Sequence, residues 1–237
     1  MSNSMAPGWE KWAGRYRVQW RPVMDWLLRN ARVDAGMRVL DIACGTGQPA
    51  IPASEKVRPG GRVVGIDSDP EMLAACSRLA RQAGADNLEL VQMDMHALNF
   101  PEASFDAVTF GFALMFARDA VKVMLEIRRV LKPGGRFALS VWDEPRHNPF
   151  FTVPLAALDV LGPRPDPDPK APGPFRLAAN GELQSVVRAA GFSDFTIESV
   201  PMNLDAQTPD EQWEMTLDMS SALRNALADK SDEDVAK

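Results

Sequence analysis

The chain has 237 residues, 46% of them hydrophobic, which is enough apolar material for one sizeable core. A net charge of −6 and a pI near 5.1 argue against a dedicated nucleic-acid binder, which carries basic excess. The longest uncharged apolar stretch, Ala107 to Ala117, is too short to span a bilayer, and the two cysteines, Cys44 and Cys76, indicate neither a disulfide framework nor a zinc cluster.

Met1 to Ala6 read as a leader outside the fold, and no basic region followed by an apolar signal core opens the chain, which predicts a cytoplasmic protein. From Trp9 to Ala31, the residues Trp12, Tyr16, Trp20, Val23, Leu27 and Leu28 recur at helical spacing, with Pro22 marking a break or a new start. Strand and helix then alternate. Met37–Ile42 is the first predicted strand and Gln48–Val57 its helix, after which Pro59-Gly60-Gly61 turns the chain into strand Arg62–Ile66. A helix over Pro70–Ala83 follows, capped by Asp69 with Pro70 in its first turn. Leu88–Met93 and Phe105–Phe110 are the third and fourth strands. A helix from Asp119 to Leu131 stops at Lys132-Pro133-Gly134-Gly135, and Phe137–Trp142 is the fifth strand. This alternation calls for an α/β fold, a doubly wound and mostly parallel sheet with helices on both faces.

After Asp143 the texture changes. Asn148-Pro149-Phe150 reads as a loop, and Gly162 to Phe175 carries six prolines, which predicts an extended lid. Gly181–Ala190 reads as a helix, Phe195–Leu204 as a sixth strand and Pro209–Ala228 as a last long helix. Ser231-Asp232-Glu233-Asp234 has the form of an N-cap with an acidic first turn. The whole is read as a single domain, 1–237. Residues 1–35 form an N-terminal helical cover, 36–142 the cofactor-binding core, 143–180 the proline-rich lid and 181–237 a helix-strand-helix end.

Three strand ends carry the chemistry: VLDIACGTG at 39–47, VVGIDSD at 63–69 and VQMDMHAL at 91–98. Gly45 and Gly47 let the backbone turn sharply and approach a ligand that a Cβ would block, and the helix behind them is expected to offer free N–H groups. Asp67 is placed to accept both hydroxyls of a ribose, and Asp94 ends the next strand. Together they describe a nucleoside-binding edge along the carboxyl ends of parallel strands.

These segments, with LKPGGRFALSVW at 131–142, resemble the class I S-adenosylmethionine-dependent methyltransferases. The likeness is to the ubiquinone/menaquinone-biosynthesis-like group (methyltransferase type 11), over roughly Gly36 to Phe195. It implies a Rossmann-like fold and S-adenosylmethionine as cofactor. By the same resemblance the glycine loop wraps the methionine part and Asp41 organises its ammonium end, while Ala43 stands where the family often has its first glycine. Asp67 and Ser68 would serve the ribose, Met72 would pack near the adenine, and Asp94 and Met95 would sit beside the adenine amino group. Glu126, Arg128 and Arg129 would be architectural. The family's sheet ends in a hairpin whose seventh strand inserts antiparallel beside the sixth. No apolar run remains here for it, so a shortened chain is expected, with a gap or open edge beside the fifth strand. Such an edge makes a homodimer possible.

Gly45-Thr46-Gly47-Gln48-Pro49-Ala50 also fits the dinucleotide pattern G-x-G-x-x-A, which makes a nicotinamide (NAD-type) oxidoreductase the competing reading. Asp41 inside the first strand and Pro49 at the start of the helix count against it. A non-catalytic S-adenosylmethionine-binding protein is the other alternative, opposed by the intact loop with both Asp67 and Asp94. An apolar wall of Phe112, Met115, Phe116 and Trp142, with Trp12 and Tyr16 from the cover, suits a small aromatic or apolar methyl acceptor rather than nucleic acid. Transfer would be direct displacement, with no metal. A base is needed only if the acceptor must lose a proton, and the candidates are His147, Asp143, His96 and Tyr16.

Overall fold

Strands buried on both faces are built from near-continuous apolar runs, as are β1 (Arg38–Ile42), β2 (Arg62–Asp67) and β4 (Phe105–Gly111). With β3 (Leu88–Gln92) and β5 (Leu131–Ser140) they pair in parallel in the order β3-β2-β1-β4-β5. The computed structural model describes residues 4–157, 168, 171–220, 223, 224 and 227. Ahead of the sheet run α1 (Ala6–Lys11), α2 (Ala13–Gln19) and α3 (Arg21–Asn30). The crossovers are α4 (Ala50–Lys56), α5 (Pro70–Gln82) and α6 (Ala120–Val130), and α7 (Pro149–Ala157), α8 (Glu182–Ala189) and α9 (Pro209–Met219) follow. Parallel crossovers are right-handed, so the reversal of direction at β1 puts α6 on the face opposite α4 and α5. The carboxyl ends of β1 and β4 diverge at that switch point and open a crevice. None of the described helices is long and apolar enough to cross a membrane.

Helix ends follow the expected caps. Asp69 accepts from the Glu71 amide at 2.8 Å and Asp119 from the Lys122 amide at 2.9 Å. Glu126 and Arg129 of α6 clamp the loop after β3. Arg129 donates to the carbonyls of Leu98 (2.6 Å) and Phe100 (2.7 Å), and Glu126 accepts from the Leu98 amide (2.8 Å).

Several expectations are corrected. Ser4 and Ala6 belong to the fold, not outside it as expected: the Ser4 hydroxyl donates to Asp69 at 2.6 Å and Ala6 is buried. β5 starts directly at Leu131, and Pro133-Gly134-Gly135 is a bulge inside it, where the register moves from Phe105–Leu131 to Ala107–Arg136. Trp142 therefore lies beyond the strand. Asn148-Pro149-Phe150 opens α7 rather than a loop, because a proline fits the first helical turn.

Among the described residues no sixth strand forms. Val200, Met202, Leu204 and Ala206 pack toward the core while Pro201, Asn203 and Asp205 face solvent, the alternation of a strand without a ladder. A cavity of about 1180 Å³, lined by Arg136, Leu139 and Val141 on one side and Phe195, Ile197 and Met202 on the other, separates this segment from β5. Pro201 further removes one donor. Among the described residues β5 is thus an open edge, because the expected sixth strand does not pair with it. Most of the Gly162–Phe175 lid, the end of the long helix and Ser231–Asp234 lie outside the described residues.

Replacing Arg129 by Ala removes the donors to two loop carbonyls and leaves Glu126 without its cation. We expect a loss of about 1–3 kcal/mol in urea unfolding. A variant as stable as the parent would show that the clamp is idle.

Candidate functional site

The glycine loop is held from below by a carboxylate. Asp67, at the end of β2, accepts the Gly45 amide at 2.9 Å through Oδ2 and the Asp69 amide at 3.0 Å through Oδ1. Each oxygen keeps a lone pair for a further donor. Burial raises the Asp67 carboxyl, and the amides of Asp69 and Gly45 oppose that rise. Gly45 has φ +51 and open space where a Cβ would stand, while a Cβ on Gly47 (φ +102) would strike Ile51 Cδ1 at 2.6 Å. The first glycine thus leaves a cradle open, and the second lets the loop sit on its helix.

Ala43 also lies in the left-handed region, at φ +51, where a glycine is more at ease. Ala43→Gly should therefore be neutral or stabilising by up to about 1 kcal/mol in thermal unfolding, despite the added freedom of the unfolded chain. A clear loss would mean that the methyl group is needed for packing.

Asp41 is fully buried at the end of β1. Its Oδ1 accepts the Thr109 hydroxyl at 2.7 Å, while Oδ2 has no full hydrogen bond. Burial pushes the carboxyl up to about 7, moderated by Thr109 and the Ala50 amide at the start of α4. Thr109 was missed in the sequence, although a polar residue inside an apolar strand was the available signal. In the unfolded chain Asp41 returns to near 3.8, so the folded state holds the proton more tightly. Stability is then full below about pH 4 and falls as the pH rises through about 7. Between about pH 5 and pH 8 the protein should lose roughly 2–3 kcal/mol from this group, and Asp41→Asn should flatten that part of the slope. Parallel slopes in urea titrations of the two proteins would contradict it.

The start of α4 differs from expectation. The Ala50 amide turns to Asp41, Ile51 donates to Gly47 at 2.8 Å, Pro52 has no N–H, and Ala53 donates to Pro49 at 2.9 Å. The first turn thus keeps a single N–H without a full hydrogen bond, that of Ala50 beside the buried Asp41. A dinucleotide pyrophosphate needs several such donors at this place, so the geometry opposes the nicotinamide reading.

Comparison with known proteins agrees. A family described as a methyltransferase domain matches residues 33–153, about half of the chain. The chain belongs to this methyltransferase-domain family. A demethylmenaquinone methyltransferase of Listeria welshimeri is 37% identical over 131 residues, 55% of this chain and 54% of the relative. One from Lactococcus lactis is 42% identical over 101 residues, 43% of this chain and 40% of the relative. The chain thus spans about half the length of the curated relatives it matches. Among solved structures, the YcgJ protein of Bacillus subtilis superposes with a TM-score of 0.61 at 26% identity, covering 90% of this chain and 86% of that one. A SAM-dependent methyltransferase from Aquifex aeolicus, at 22% identity and TM-score 0.54, covers 74% of this chain and 82% of that one and shows the same fold.

On this methyltransferase fold the remaining candidates fall in different places. Ser68 is exposed and Met72 and Met95 half-buried near the ends of β2 and β3. Asp94 is exposed and occupied: it accepts the His96 amide at 2.9 Å and the His96 ring at 2.6 Å, which hold its carboxyl below the usual range. His96 Nε2 in turn accepts the Asp119 amide at 3.4 Å, so the imidazole latches two loops. His147 and Asp143 pair at 2.9 Å on the rim of the β5 cavity. Burial raises the Tyr16 hydroxyl, which keeps it protonated and removes it as a base.

Phe112 and Trp142 do meet, stacked at 4.1 Å with 16° between planes, and Phe112 holds φ +51 at the end of β4. Met115 is instead fully buried core, Phe116 faces solvent, and Trp12 turns to α9, donating to Asp218 at 2.8 Å. The rings that complete the cluster are Trp9, Tyr16, Trp20 and Phe151, of which Phe151 gave no signal within an unassigned stretch. The large β5 cavity touches this cluster only at Phe112 and Trp142. It contains none of Ala43–Gly47, Asp67 or Asp94, and marks the vacant strand position rather than the cofactor crevice.

Proposed function

We propose that this chain binds S-adenosylmethionine in the crevice between the Gly45–Gly47 loop and Asp67, and transfers its methyl group to a small, aromatic or apolar molecule. The observation that carries the reading is an α4 start that leaves only the Ala50 N–H without a full hydrogen bond, beside a half-buried ribose-type carboxylate. It suits a nucleoside with an amino-acid arm and no pyrophosphate. The family membership supports it, as do relatives that bear the name demethylmenaquinone methyltransferase. The net charge of −6 favours a small acceptor over nucleic acid, and the free thiols of Cys44 and Cys76 suit the cytoplasm.

The cofactor supplies an activated sulfonium methyl, so the protein's part is alignment and exclusion of water. Asp67 accepts the ribose hydroxyls on lone pairs left by Gly45 and Asp69. The cradle over Gly45 receives the amino-acid arm, with Asp41 beneath it. Helices α1 to α3, within the proposed cover of residues 1–35, close the crevice from above. Ser4 reaches Asp69, and Arg78 pairs with Glu10 at 2.6 Å. The base, where one is required, is assigned to the exposed His147–Asp143 pair rather than to Tyr16. The open β5 edge also supports homodimerisation by edge pairing, for which a light-scattering mass of one protomer is the contrary result.

Asp67→Ala should weaken binding of S-adenosylhomocysteine by about 1.5–3 kcal/mol, the worth of a charge-assisted hydrogen bond. Calorimetry on the two proteins measures it, with NAD as the comparison ligand. Unchanged affinity for S-adenosylhomocysteine, or binding of NAD in its place, would sink the assignment.

A further inference from the structure

The His96 side chain is only 12% exposed, and both of its ring nitrogens are engaged. Nδ1 lies 2.6 Å from Asp94 Oδ1, and Nε2 lies 3.4 Å from the amide of Asp119, the residue that caps α6. A backbone amide only donates, so Nε2 accepts. The proton of the neutral ring then stands on Nδ1, aimed at the carboxylate. The same Asp94 oxygen accepts the His96 amide at 2.9 Å. Neither ring nitrogen is left to act as a general base.

The two donors converge on Oδ1 and leave Oδ2 open. Among the described ion pairs Oδ2 meets Arg118 alone, at 3.7 Å, and that side chain is exposed. Pinning one oxygen of a carboxylate fixes the direction of the other. That direction matters because of the strand order. The sequence β3-β2-β1 sets Asp94, Asp67 and the Gly45–Gly47 loop in a row at the carboxyl ends of the sheet. The row is tied together, with the Met93 amide donating to the Asp67 carbonyl at 3.0 Å and Gln92 to the Ser68 carbonyl at 3.1 Å. A nucleoside with its ribose on Asp67 and its arm over Gly45 therefore extends its base toward Asp94. The amide and ring of His96 hold the Asp94 carboxyl below its usual range, so it is ionised and can only accept. Such a group favours a base that carries an amino donor.

We infer that His96 is a positioning residue: its imidazole fixes one oxygen of Asp94 so that the other meets the amino group of the cofactor's base, and its second nitrogen ties that setting to the start of α6. This rests on the methyltransferase reading and adds to it the residue that governs recognition of the base. Asp94 makes the contact, and His96 acts only through it. Two substitutions separate this role from packing. Asparagine places an N–H close to where Nδ1 stands, so His96→Asn keeps the donor to Asp94. Leucine fills the space without a donor, so His96→Leu loses it.

The test is calorimetric titration with S-adenosylhomocysteine and with its analogue in which hydrogen replaces the amino group of the purine. The parent should prefer S-adenosylhomocysteine by about tenfold or more, the worth of one hydrogen bond to a charged group. His96→Leu should cut that preference to about threefold or less while binding the deamino analogue within about twofold of the parent, and His96→Asn should restore most of it. A preference untouched in His96→Leu, or both nucleosides weakened alike, overturns the proposal, since His96 would then serve only the loops. So does His96→Asn behaving as His96→Leu. Nitrogen-15 NMR of the unloaded parent at about pH 8 gives a check that does not depend on a variant folding. The chain has two histidines, and the one whose signals persist in His147→Gln is His96. It should show a protonated Nδ1 and a bare Nε2, and the reverse tautomer overturns the proposal. Equal binding of the two nucleosides by the parent refutes this inference alone, whereas binding of neither refutes the methyltransferase reading and the inference with it.

Discussion

The bond from the Gly45 amide to the Asp67 carboxylate is the contact on which the site depends. It joins the loop after β1 to the end of β2, so the shape of the cofactor cradle is set by the spacing of two neighbouring parallel strands. A carboxylate with two backbone donors already in place is pre-oriented, and its remaining lone pairs point outward. The same bonds oppose the cost of partly burying a charge. Loop shape and the proposed ribose contact therefore share one side chain.

Asp41 works in the opposite way. It lies at the same sheet edge and is wholly buried, with a single full hydrogen bond from Thr109. Desolvation dominates and the proton is retained to about neutral pH. Two carboxylates at the ends of adjacent strands thus differ in character because one has backbone donors and a path to water and the other does not. The amide of Ala50 lies near Asp41 and is the one donor of the first turn of α4 without a full hydrogen bond.

The aromatic cluster and the β5 edge show how elements distant in sequence complete or fail to complete a surface. Trp9 comes from α1, Tyr16 from α2, Trp20 from the junction of α2 and α3, Phe112 from just past β4, Trp142 from beyond β5 and Phe151 from α7. Their meeting brings the first helices against the residues that follow β4 and β5. Beside them, β5 lacks a neighbour. The segment from Phe195 to Ala206 keeps the alternation of a strand yet lies across a cavity wide enough to break any ladder. Side-chain patterning alone does not make a strand, because the backbone must also find a partner within hydrogen-bond reach.

The order of strands and helices, the caps at Asp69 and Asp119, the glycine loop and the acidic ends of the first three strands were legible in the sequence. Each depends on local periodicity, on backbone freedom at a glycine or on a short capping bond. What tertiary structure alone decided depends on burial and on partners far along the chain. It buried Asp41 behind a single hydrogen bond, sealed the Tyr16 hydroxyl in the interior, and made Met115 core and Phe116 surface. It turned Trp12 away from the cluster and brought Trp20 in. Residues one position apart on a helix point about 100° apart, and only packing, as of α3 on β4 and β5 and of α1 on α9, settles which of them is interior. The unmade sixth strand has the same origin: its apolar alternation is written in the sequence, but hydrogen bonding requires an edge that the fold places out of reach.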